Sequence, residues 1–80
     1  MGRIYSEDRV GVVVKNLPRS ILFFDDESGE TIFIPKSIMN DYGFRLISGF
    51  DSSATPDDLE RDDDIIASIP TWLLKKEGLV

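Results

Sequence analysis

Seven carboxylates, from Asp51, Asp57, Asp58, Glu60, Asp62, Asp63 and Asp64, fall within fourteen consecutive residues that contain one cation, Arg61. Carboxylates at this density do one of two things. Clustered inward, they bind a hard cation; displayed outward, they present a basic protein with a field like that of a phosphate backbone. The run Asp58–Asp64 lacks the central glycine and the terminal bidentate glutamate of a calcium loop, so no metal site is expected. The outward reading is nucleic-acid mimicry, in which the acidic segment occupies the basic groove of a nucleic-acid-handling protein and electrostatic steering speeds the encounter. Asp25, Asp26, Glu27 and Glu30, in a second acidic turn, would add to it. The plainer reading of the same residues is a solvated loop.

Other chemistry is poorly supplied. The chain has no His and no Cys. It therefore lacks the usual neutral-pH acid/base, thiolate ligands and disulfides. Acid/base or nucleophilic work would fall to Asp/Glu pairs, Ser, Tyr or Lys, and no G-x-S-x-G, phosphate loop or dinucleotide fingerprint occurs. No catalytic residue and no cofactor is expected. Formal net charge is −6, and residues 51–64 alone account for that sum. Such a field disfavours direct binding to a phosphate backbone and favours a protein partner with a basic surface. The competing reading is an accessory single-stranded nucleic-acid-binding barrel, with Arg9, Lys15, Arg19, Lys36 and Arg45 along one side and Phe33, Tyr42 or Phe44 for stacking. Core packing is the plainer role for those aromatics.

These residues must be positioned by one small domain. Eighty residues with 41% hydrophobic content, including five Phe, two Tyr and one Trp, suffice for a single compact core. No apolar run is long enough to cross a membrane, and M-G-R-I-Y-S-E-D at the start has no signal-length apolar stretch. A soluble, cytoplasmic protein is the expectation.

The centre of the pattern is Ser20–Ser37, where the apolar runs Ile21–Phe24 and Thr31–Ile34 flank a polar turn containing Gly29. This reads as a β-hairpin. Before it, Met1–Asp8 reads as a loose lead-in and Arg9–Lys15 as a first strand, with Val10, Val12 and Val14 on one face and Gly11, Val13 and Lys15 on the other. After it, Pro35–Ile38 reads as a tight corner and Asn40–Gly43 as a turn. Phe44–Phe50 alternates as a fourth strand. Residues 51–63 form an acidic loop or short helix starting at Thr55-Pro56. Asp64–Ile69 is the last strand.

The C-terminus reads as a short helix opened by Pro70 and stopped by Gly78, too short to stand alone and therefore docked, with Trp72 as its anchor. The expected fold is mainly β: a five-stranded antiparallel sheet, or an SH3-like or OB-like barrel, with this helix as cover. Hydrophobes on both faces of three successive strands require either that cover or a partner. Homodimerisation through an edge strand or an uncovered face is a secondary expectation.

Two segments, G-E-T-I-F-I-P-K-S-I at 29–38 and I-P-T-W-L-L-K-K-E-G-L-V at 69–80, together resemble a set of small proteins common in bacteriophage genomes. Those carry a hairpin ending in an Ile-Pro-Lys/Arg-Ser corner and finish in an Ile-Pro-x-Trp-Leu helix with a Gly-Leu tail. The segments cover about a quarter of the chain, and the spacer from Asn40 to Asp63 departs from the pattern. The resemblance implies a phage origin, and with it a host cytoplasm; joined to the acidic segment, that origin makes a host or defence protein the expected target of inhibition. It implies no particular activity.

Overall fold

A computed structural model describes residues 5–47 and 54–79. It is mainly β, one open antiparallel sheet whose strands lie in the order β3-β2-β1-β5-β4. They are β1 Ser6–Asn16, β2 Ser20–Asp25, β3 Glu30–Pro35, β4 Phe44–Leu46 and β5 Asp64–Pro70. The first strand starts earlier than its sequence suggests: Ser6–Asp8, taken for lead-in, pair with Pro70, Ile69 and Ser68 of β5. β1 is the middle strand, so both neighbours are laid on it. The β2–β3 turn closes with the Gly29 amide donating to the Asp25 carbonyl at 2.8 Å, Gly29 having φ 75°. That left-handed conformation costs Gly nothing.

The two faces of the sheet differ in what covers them. The inner face carries Val13, Ile21, Phe23, Ile32, Ile34, Ile65, Ala67 and Ile69, all buried. They form one cluster with Met39, Leu59, Leu73 and Leu74. Met39 lies on α1, Lys36–Tyr42, and the two leucines on α2, Thr71–Lys76. Both helices therefore cover the same face.

α1 stands where Pro35–Ile38 and Asn40–Gly43 read as turns. Seven residues are too few to make a helix by propensity, so the docking of Met39 is what holds it. α2 ends in a Schellman cap: the Gly78 amide donates to Lys75 O at 3.1 Å and the Leu79 amide to Leu74 O at 2.8 Å, with Gly78 at φ 79°. Trp72 is not the anchor of this helix. It is 51% exposed, and Leu73 and Leu74 fill the core instead. Three consecutive helical residues span more than half a turn, so they cannot all face inward.

The outer face carries Val10, Val12, Val14, Leu22, Phe24, Phe33 and Ile66, which register places side by side: Phe33 beside Leu22, Phe24 beside Val12, Val10 beside Ile66. Val10 is 44% and Phe33 55% exposed. Among the described residues no helix contributes a buried side chain to this face. A bulge between Val13 and Lys15 alters the alternation of β1. Lys15 pairs with Leu22 and so faces outward, whereas simple alternation puts it with Gly11 and Val13. The extra residue also turns Asn16, paired with buried Ile21, to the inner side.

Candidate functional site

The acidic segment is built on that bulge. The Val13 amide donates to Asp63 O at 2.9 Å and the Asp62 amide returns to Val13 O at 2.7 Å. Asn16 Nδ2, on the inner side, donates to Leu59 O at 2.8 Å and to Pro56 O at 3.1 Å. Pro56 and Leu59 are buried and plug the segment into the core edge. A single 3₁₀ turn, Pro56–Asp58, replaces the short helix. The loop backbone is thus fixed at Pro56, Leu59, Asp62 and Asp63 by two residues of β1, Val13 and Asn16, and its carboxylates are what remains outside.

Each carboxylate has a definable place. Asp58 Oδ2 accepts from the Thr55 amide at 2.8 Å and from its hydroxyl at 3.1 Å, closing the 3₁₀ turn. Asp63 Oδ2 accepts from the Glu60 amide at 2.8 Å and fixes the next turn. Asp62 holds φ 73°, a left-handed conformation that a short polar side chain tolerates. Asp57 pairs with Lys36 Nζ and remains 79% exposed. Asp58, Glu60, Asp62 and Asp64 are exposed too, and Asp63 is half-buried. The capping bonds use one oxygen of a carboxylate and leave its charge in water. Among the described residues, Lys36 is the one cation that pairs with this segment. No three carboxylates among the described residues converge there to hold a metal ion. Asp51 lies outside the described residues.

The second acidic turn does not join the first. Asp25 pairs with Gly11 and the Asp26 amide donates to Val10 O, so the β2–β3 turn sits toward the start of β1. The 54–63 loop is held by Val13 and Asn16, roughly 10–20 Å further along that strand. Asp25 is not a surface carboxylate at all. It is fully buried, and its Oδ2 accepts from Arg9 Nη1 at 2.9 Å and from the Ser28 amide at 3.2 Å. Glu27 is drawn to the same arginine at 3.4 Å, as is Glu7 at 3.3 Å. Of this turn, Asp26 and Glu30 are exposed without such a partner among the described residues.

The arginine that gathers these groups is itself 2% exposed, and its Nη2 also donates to Leu79 O at 3.3 Å. Its position removes Arg9 from the basic side considered above. Lys36 is tied to Asp57, Arg19 is exposed in the turn between β1 and β2, and Lys15 and Arg45 face outward at separate places on the sheet, so those five cations do not line a common groove.

One further feature was not legible in the sequence. An open hollow of about 340 Å³ lies beside β4 on the outer face, where Asp8, Arg45, Ile66 and Ser68 turn outward and Tyr42, Gly43 and Phe44 complete its lining. Ser68 Oγ donates to Asp8 at 2.7 Å across the β1–β5 pair. Residues so far apart in the chain meet only because β4 and β1 both pair with β5. Comparison with known proteins finds no family, no curated protein and no solved structure that matches this chain.

Proposed function

We propose that this protein is a non-enzymatic interaction module that offers its 57–63 loop to a basic, nucleic-acid-handling protein and inhibits it by standing in for a phosphate backbone. The observation that carries the reading is the loop's construction. Asn16, Val13, Pro56 and Leu59 fix its backbone, while its carboxylates stay in water, offset among the described residues by the paired Lys36 and by Arg61 of the loop itself. Ordering a flexible acidic tail on binding would consume affinity; a held loop avoids that cost. The resemblance of segments 29–38 and 69–80 to small phage proteins favours a host or defence enzyme as the partner and the host cytoplasm as the place. The protein's own cations are scattered or paired, which favours this reading over direct nucleic-acid binding.

The test uses the full chain as bait in bacterial lysate beside a variant with Asp57, Asp58, Asp62 and Asp63 changed to Asn. Asparagine keeps the capping geometry and the left-handed position, so the fold is expected to persist while four charges are lost. A basic protein retained by the wild type, released by double-stranded DNA and by salt, and lost with the variant is the expected result. Equal capture by both chains, or salt-sensitive binding of labelled DNA to the protein itself, would sink the reading.

A further inference from the structure

We propose that the outer face of the sheet is the docking surface for a second copy of this chain, with Phe33 of each copy entering the hollow beside β4 of the other. The apolar residues there lie in contiguous rows across the strands, and among the described residues no element of the chain covers them. An uncovered sheet face of this kind marks an interaction surface.

Charge selects the occupant. The charged side chains that the described strands turn outward are Asp8, Lys15, Arg45 and Asp64, two of each sign. The chain as a whole carries −6. A partner recruited by opposite charge would be drawn to the acidic loop, and this neutral face offers it nothing. A second copy has the same excess of negative charge and is repelled by the acidic sides of the molecule. This face lets two copies approach without that penalty.

Shape supports the same occupant. Phe33 projects at the β3 edge, in line with Leu22 and Lys15. The hollow lies at the opposite corner, in line with Asp8 and Val10, and Val12 stands midway between them. A two-fold axis crossing the face near Val12 exchanges the two corners. Both Phe33 side chains then reach a hollow at once, and the contact closes on itself as an isologous dimer. Five strands about 4.8 Å apart, each giving about five residues at roughly 3.3 Å, make a footprint of roughly 400 Å² per copy. Side-chain relief raises the accessible area above that footprint. Two such footprints give roughly 800 Å² before that relief is counted, the size of a weak, concentration-dependent contact.

Sedimentation of the full chain should show a concentration-dependent species of twice 9.0 kDa. Phe33→Asp should weaken that association by about 30-fold or more, as loss of an aromatic anchor that fills a pocket does. At dilutions where the wild type is monomeric it should leave the unfolding midpoint nearly unchanged, because the ring is half-exposed in the single chain. Because the chain contains no cysteine, position can be read by cross-linking. On oxidation, a mixture of Thr31→Cys and Asp8→Cys chains should form the mixed 31–8 dimer. A monomer at every concentration, a dimer indifferent to Phe33→Asp, or a 31–31 cross-link reporting edge-to-edge pairing through β3 would each overturn the proposal.

Discussion

Arg9→Met is expected to cost about 3–5 kcal/mol, the range for breaking a buried ion pair from one side. An 80-residue domain has roughly 4–12 kcal/mol in total, so this one change removes at least about a quarter of it. The reason lies with the partner left behind. Asp25 is fully buried, and without the guanidinium its carboxylate keeps one donor, the Ser28 amide. The pair is also incompletely satisfied as it stands: Arg9 Nε and Asp25 Oδ1 are buried with no hydrogen-bond partner among the described residues. A pair of that kind contributes little over an apolar replacement, since the attraction is offset by desolvation of both charges. Arg9→Met with Asp25→Leu should therefore recover most of the loss, to within about 1–2 kcal/mol of the wild type. Urea unfolding of the four chains measures the coupling directly. If each single variant costs under about 1 kcal/mol, the pair is hydrated and the burial argument is wrong.

Gly11→Ala should be nearly as damaging, for a steric reason and against propensity. In a strand interior, alanine ordinarily gains about 0.5–1 kcal/mol over glycine. A Cβ on Gly11, however, would lie 2.0 Å from the Phe24 carbonyl oxygen and 2.5 Å from Cζ of Phe23, whose ring lies across the glycine. The ring has room to shift only into a filled core, and the carbonyl belongs to the paired strand β2. Relief requires opening the β1–β2 ladder at the Gly11–Asp25 pair, beside the buried ion pair. The expected cost is about 3 kcal/mol or more. A double variant with Phe23→Leu should recover only part of it, because the backbone contact remains. Full recovery would show that the ring alone sets the limit.

The strands were legible where local pattern and tertiary demand agree. Ile21–Phe24 and Thr31–Ile34 flank a turn glycine, and they form the hairpin that they predict. Gly78 stops α2 as its position implies, since the left-handed cap is a local requirement. What was not legible depends on contacts distant in the chain. Nothing beside Arg9 marks it as buried, because the partner that makes burial tolerable is Asp25, sixteen residues on. The Val13–Lys15 bulge is set by the pairing with β2, yet it decides which way Lys15 and Asn16 point. α1 is the same case at the level of an element. Ile38 and Met39 pack into or against the core after Pro35, but a helix of that length exists only once docked.

Size also misled in one place, since Trp72 is the largest apolar side chain in its segment and the helical phase turns it outward. As for the candidate site, its composition was plain and its architecture was not. The carboxylates could be counted in the sequence. Their division into an anchored loop, a separate turn and one buried ion-paired aspartate could not be read there.

The central claim is that the acidic segment is a structured part of the fold. Native-state amide hydrogen exchange tests it at the Val13, Asp58, Glu60, Asp62 and Asp63 amides, each of which donates within the loop or between the loop and β1. Slow exchange at all five, approaching the rate of the β1–β5 ladder, is the predicted result. Exchange at unstructured-peptide rates at Asp58, Glu60, Asp62 and Asp63, with the ladder still protected, would contradict it.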